Sequence, residues 1–170
     1  MILMNLKLSA KQLCLTGVMA ALVFLMTFIP KVPIPLGYAH LGDGMIFIAA
    51  YIIGKKEGMI AAAIGSALAD LIGGFPIWIL PTFIIKLVMA YIFCELSGDS
   101  MVKNVFAMTV AVLFMATGYT VTGAILFDSL EAGLASAPGL LIKGGINIIM
   151  ATAVIACVKK SYLPLLRAEH

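Results

Sequence analysis

The chain has 170 residues, of which 63% are apolar and only 11% charged, and its mean hydropathy is +1.15. Globular domains run near roughly 45–50% apolar and about 25% charged, so this composition excludes a soluble fold and describes an all-α integral membrane protein. With about 20 residues needed per span, the length supplies about six transmembrane helices in a single domain, residues 1–170, and leaves no room for a soluble one.

Gly and Pro clusters cut the sequence into apolar stretches at about 10–29, 42–53, 58–72, 81–96, 104–126 and 139–158. The first has a basic flank at Lys7 and Lys11 but ends in Pro30-Lys31 instead of a small-residue cleavage site, so it reads as a mature helix and not a signal peptide. Thr16-x-x-x-Ala20 and Gly17-x-x-x-Ala21 place small residues along one strip of it, where another helix can approach closely. Helix 3 has a similar strip, Gly58, Ala62, Gly65 and Ala69. At about 15 residues helix 3 would reach only about 22 Å into a core of about 30 Å, leaving Gly73 to Trp78 as irregular backbone at membrane depth.

Positive charges set the expected orientation. A cytoplasmic N terminus puts Lys7, Lys11, Lys55, Lys56, Lys103, Lys159, Lys160 and Arg167 inside and leaves Lys31 alone outside. The connection from Phe127 to Pro138, with Asp128 and Glu131 and no Lys or Arg, fits the outer face. Both termini are therefore expected to be cytoplasmic.

Three ionisable residues, Asp70, Lys86 and Lys143, fall in or beside these greasy segments, where a charge is costly unless it faces a protein-lined cavity. In the expected topology all three meet in the outer half of the membrane. Thr82 lies four residues before Lys86 and Asn147 four after Lys143, each on the same helical face as its lysine. Tyr119, Thr120 and Thr122 offer hydroxyls from helix 5, His40 and Asp43 stand at the entry to helix 2, and Trp78 lies above the end of helix 3. Together they describe an externally open pocket for a small polar heterocycle. The plainer alternatives are that the lysines snorkel to headgroups with Asp70 as a scaffold partner, that His40 and Asp43 are caps and surface contacts, and that Trp78 and Tyr119 form an interfacial belt.

Several chemistries are missing. Gly54-Lys55-Lys56 lacks the leading glycine and the hydroxyl of a phosphate loop, so the chain is not expected to hydrolyse ATP itself. No second half resembles the first, as it does in many secondary transporters. Asp43 lacks the G-x-G-D context of an intramembrane aspartyl protease, and neither H-E-x-x-H nor G-x-S-x-G occurs. Cys14, Cys94 and Cys157 show no metal spacing, and the net charge of +3 is accounted for by the inside loops, not by nucleic-acid binding. No enzyme, metal or cofactor is expected.

The run Tyr38-x-His40-Leu41-Gly42-Asp43, then Gly54 and Gly58, then Ile64-Gly65-Ser66-Ala67-Leu68-Ala69-Asp70-Leu71-Ile72-Gly73-Gly74, and finally Thr82-Phe83-Ile84-Ile85-Lys86, resembles the substrate-binding S components of energy-coupling factor (ECF) vitamin transporters. The resemblance implies a six-helix bundle that captures a water-soluble vitamin or precursor from outside, gated by the loop from Pro30 to Gly42. It implies partners too: a transmembrane coupling subunit (EcfT-like), contacted through Gly17, Ala20 and Ala21, and two ATPase subunits (EcfA-like). Substrate contacts are expected from His40, Asp43, Asp70, Trp78, Lys86, Tyr119, Lys143 and Asn147. A pyridoxine-like or hydroxymethylpyrimidine-like compound is the favoured substrate, with pantothenate next. The competing reading is a self-sufficient carrier driven by protons or ions through Asp70, with an intramembrane enzyme using Asp43 and Asp70 behind it.

Overall fold

The computed structural model describes the backbone of residues 8–34 and 37–168 and the side chains of 8–33 and 38–160. Lys7 and the side chain of Arg167, which carry part of the charge asymmetry, lie outside the described residues, as do Pro35 and Leu36 of the expected gate. Among the described residues there are six α-helices: α1 (Ala10–Phe28), α2 (Gly42–Ile53), α3 (Lys55–Gly73), α4 (Ile79–Leu96), α5 (Met101–Leu126) and α6 (Leu130–Ala168). Two short strands, β1 (Val32–Ile34) and β2 (Gly37–Ala39), pair antiparallel between α1 and α2, and a 3-10 turn, Pro76–Trp78, leads into α4.

Three boundaries differ from the sequence expectation, each for a local reason. The segment expected to be a loop is a hairpin, with Val32 opposite Ala39 and Pro33 opposite Tyr38. Helix α3 has 19 residues, about 28 Å at the α-helical rise, longer than the stretch of about 15 residues expected from the sequence. Its charged first turn looked like loop, but Glu57 is buried and accepts a hydrogen bond from Gln12 Nε2 at 2.7 Å. The expected outer connection shrinks to Phe127–Ser129, because Ser129 Oγ accepts the Ala132 N–H at 3.2 Å and starts α6 eight residues before Pro138.

α1, the stretch Pro76–Leu96, α5 and Leu130–Lys160 are long and apolar enough to cross a membrane, and α2 is a shorter apolar helix. Large apolar side chains such as Val102, Ile125 and Ile149 cover the outside of the bundle, as lipid contact requires. The protein is membrane-embedded. α2 packs against α1, α3, α4 and α6, and Phe47, Met89, Phe93, Met108 and Met115 fill the core beside it.

The two small-residue strips have different surroundings. Gly58, Ala62, Gly65 and Ala69 of α3 are all buried inside the bundle. A Cβ on Gly65 would lie 2.5 Å from the Ala20 carbonyl oxygen and 2.9 Å from Val23 Cβ, so glycine is what lets α1 seat on α3. On α1 the strip divides: Ala20 is half-buried on this contact, whereas Gly17 and Ala21 are exposed, with no atom within 4 Å of a Cβ added at Gly17. Gly65→Val should therefore lower stability by about 1–3 kcal/mol, as overpacking does, while Gly17→Ala should keep it or raise it by up to about 1 kcal/mol through helix propensity. Thermal unfolding in detergent measures both, and equal melting temperatures for wild type and Gly65→Val would contradict the close packing.

Candidate functional site

The site begins with Leu41-Gly42-Asp43-Gly44. A Cβ on Gly42 would strike the Thr27 side chain, and one on Gly44 would strike Met150 and lie 3.1 Å from the Asn147 carbonyl oxygen. The two glycines thus let the first turn of α2 butt against α1 on one side and α6 on the other. The Gly44 N–H, free at a helix start, donates to Asn147 Oδ1 at 2.7 Å. Between the glycines, the Asp43 carboxylate points into the bundle and is completely buried. Its Oδ1 accepts from the Lys86 ammonium, and its Oδ2 lies 3.0 Å from Lys143 Nζ. The N-terminal end of α2 adds a partial positive charge to the same carboxylate.

Next to this ion triad is a cavity with a water-accessible volume of about 60 Å³. α3 contributes Ser66 and Asp70, one turn apart; α4 contributes Thr82 and Lys86, also one turn apart; α5 contributes Tyr119; and α6 contributes Ser136, Leu140 and Lys143. Thr27 in the last turn of α1, Tyr38 and His40 of the hairpin segment, and Phe75 and Trp78 of the turn before α4 close it. Tyr119 donates its hydroxyl to Thr82 Oγ1 at 3.0 Å, and its ring centroid is 5.7 Å from that of Trp78. Asp70 Oδ1 accepts the Tyr38 hydroxyl at 3.1 Å. Asp70 Oδ2, Ser66 Oγ and Thr27 Oγ1 are buried with no hydrogen-bond partner.

The hairpin is tied down at its exit. The His40 carbonyl accepts from Asn147 Nδ2 at 2.8 Å, His40 Nδ1 accepts the Gly42 N–H at 3.0 Å, and His40 Nε2 lies 3.4 Å from Lys143 Nζ. Accepting at Nδ1 puts the proton of the neutral ring on Nε2. Burial, followed by the Lys143 ammonium, holds His40 well below the ordinary imidazole range. Burial and the Asp70 carboxylate push the Tyr38 phenol up, so it stays a donor.

Residues 7–160 match the family described as the ECF-type riboflavin transporter, S component. The chain belongs to this S-component family. A protein of Pyrococcus woesei described as uncharacterised is 45% identical over 62 residues, which are 35% of this chain. The chain spans 41% of that relative's length.

Of the residues expected at the site of this S-component family member, His40, Asp70, Trp78, Lys86, Tyr119 and Lys143 line one cavity. Asp43 and Asn147 stand behind it, Asp43 as counter-ion to both lysines and Asn147 as the brace between α6, α2 and the hairpin. Asp70, suggested by the sequence as a scaffold partner for a lysine, instead accepts from Tyr38. Thr120 and Thr122 do not line the cavity. Thr27, Phe75, Ser136 and Leu140 line it without having been singled out, and Tyr38 and Ser66 entered only through the family motif. Ser66 was findable, since it precedes Asp70 by one helical turn. Among the described residues no cluster of His, Cys, Asp and Glu is arranged to hold a metal ion.

Removing one partner from a buried ion pair leaves an uncompensated charge, so Asp43→Asn should lower stability by about 3–5 kcal/mol. A thermal melt checks this, and adding Lys86→Met to Asp43→Asn should recover part of the loss; no change in Asp43→Asn would mean that the triad contributes nothing. His40 gives a pH dependence of known sign. Its folded form stays neutral while the unfolded chain protonates near pH 6.5, so the unfolded state binds more protons and stability falls as pH drops below about 6.5, by up to about 1.4 kcal/mol per pH unit. Melts between about pH 8 and about pH 5 should show this loss in wild type and a smaller one in His40→Asn.

Proposed function

We propose that this chain is the high-affinity substrate-binding subunit of an ATP-driven importer for a small water-soluble vitamin or precursor. The observation that carries the reading is the convergence of Asp70, Lys86 and Lys143 from three helices on one cavity beneath a hairpin, inside a chain of the S-component family. Charges so placed in a membrane protein serve a ligand or an ion path, and a cavity rimmed by hydroxyls and aromatic rings suits a ligand. In this reading both termini are cytoplasmic, because Lys11, Lys55, Lys56, Lys103, Lys159 and Lys160 gather at one end of the bundle while Lys31 lies by the hairpin. The hairpin then faces outward and gates entry.

The family description names riboflavin. For this chain a single ring is favoured over a three-ring flavin, because Trp78 is its one tryptophan and few aromatic side chains stand at the cavity to stack a flavin. A pyridoxine-like or hydroxymethylpyrimidine-like compound comes first and pantothenate next. Energy comes from partners: a transmembrane coupling subunit seated on the exposed Gly17 and Ala21 of α1, and two ATPase subunits. The chain has no phosphate loop of its own.

Uptake of labelled pyridoxine or hydroxymethylpyrimidine into proteoliposomes tests the reading. It should require ATP and the added coupling and ATPase subunits, and uptake by the lone protein under a proton gradient would favour the self-sufficient carrier instead. Gly17→Leu should keep ligand affinity, read by quenching of Trp78, the chain's one tryptophan, while abolishing assembly with the coupling subunit. A normal complex with Gly17→Leu would move the docking surface off α1.

A further inference from the structure

The distribution of charge around the cavity restricts what it can hold, an inference that rests on the capture function proposed above. The cavity wall carries one carboxylate, Asp70, and two ammonium groups, Lys86 and Lys143. Taken alone, that wall is cationic and would attract an anion. Asp43 reverses this conclusion. It sits behind the wall, completely buried, with one carboxylate oxygen committed to each lysine. A ligand cannot take its place without pulling apart the first turn of α2, which is wedged between Thr27 and Asn147.

The formal charges of Asp43, Asp70, Lys86 and Lys143 therefore cancel. His40 adds none, because its Nδ1 is occupied by the Gly42 N–H. Lys31, the next cation, does not line this cavity; its Nζ lies 4.2 Å from the Phe28 ring centroid and 4.4 Å from that of Tyr38. What the cavity leaves open is asymmetric. Toward α1 and α3 are three buried oxygens without partners, on Thr27, Ser66 and Asp70. Toward α4 and α6 are the ammonium groups, each with three hydrogens: Lys86 gives one to Asp43 Oδ1, and Lys143 lies 3.0 Å from Asp43 Oδ2 as an ion pair.

We propose that the ligand is a heteroaromatic ring of zero net charge, neutral or zwitterionic, which donates an N–H or O–H to Asp70 and Ser66 along one edge. Along the other edge it accepts from Lys86 and Lys143 through a ring nitrogen, hydroxyl or phenolate oxygen. A monoanion is disfavoured, since it would give up much of its hydration to enter a buried site whose cations already have a counter-ion, and would face the Asp70 carboxylate. Charge balance, more than shape, is the selectivity filter.

Quenching of Trp78 fluorescence in the detergent-purified chain reads binding of four probes. Pyridoxine and 4-amino-5-hydroxymethyl-2-methylpyrimidine carry no net charge; 4-pyridoxate, which has a carboxylate where pyridoxine has a hydroxymethyl, and pantothenate are monoanions. At least one uncharged probe should bind about 100-fold more tightly than either anion, the size expected for a mismatch of about 3 kcal/mol. Asp70→Asn should narrow that ratio at least tenfold by making the wall more cationic. An anion that binds wild type as tightly as the uncharged probes overturns the charge rule and leaves the capture function standing. A chain that binds none of the four while ATP-driven uptake of a vitamin with a net charge persists also overturns the rule, whereas uptake of another uncharged ring such as riboflavin upholds it, and a chain that neither binds nor transports any vitamin overturns both. If Asp70→Asn does not fold, the wild-type panel decides alone.

Discussion

The structure depends on a single carboxylate held between two ammonium groups. Burying an ion away from water costs several kcal/mol even after relaxation, and the cost is met only where opposite charges and hydrogen bonds meet in good geometry. Asp43, Lys86 and Lys143 come from α2, α4 and α6, so the condition that stabilises them also fixes where three helices converge. The condition reaches into the backbone: only glycine at positions 42 and 44 allows α2 to enter closely enough for the carboxylate to arrive. Asn147 extends the arrangement to the hairpin, since its side chain bonds both the Gly44 N–H and the His40 carbonyl.

Because Asp43 satisfies the lysines, the remaining polar groups are released from scaffolding. Asp70 is the informative one. It sits on α3 without a lysine partner, one oxygen on the Tyr38 hydroxyl and the other unpaired. A buried carboxylate oxygen without a donor is unfavourable for the empty protein, and sites of recognition are where such a deficit is tolerated. The hairpin therefore touches the site twice, through Tyr38 on Asp70 and through His40 beside Lys143, and the state of the cavity and the position of the hairpin are physically linked.

Much of this was legible in the sequence. Helical existence followed from apolar runs and Gly/Pro punctuation, and Asp70, Lys86 and Lys143 stood out because charge is scarce in such segments. The errors lie where polarity was taken to mean loop. Lys55 to Glu57 form the first turn of α3 because Gln12 of a distant helix satisfies Glu57, and residues 130–138 are helical because Ser129 caps them and Gly133 lets α6 press against the Thr120 carbonyl. Those partners are remote in sequence or depend on tertiary approach, so periodicity does not reveal them. The role of Asp43 was hidden for the same reason: which of two aspartates meets the lysines is decided by how far α2 penetrates, not by spacing along the chain.

Helix α1 is attached along one flank and leaves the other bare. At its start Gln12 grips Glu57 of α3, and near its end the Met26 carbonyl accepts the Leu41 N–H at 3.1 Å, just beyond β2. The bare flank and the root of the hairpin are thus parts of one lever. In the proposed assembly a coupling helix seated on Gly17 and Ala21 would press on a rod already hydrogen-bonded, through Met26, to the base of the hairpin.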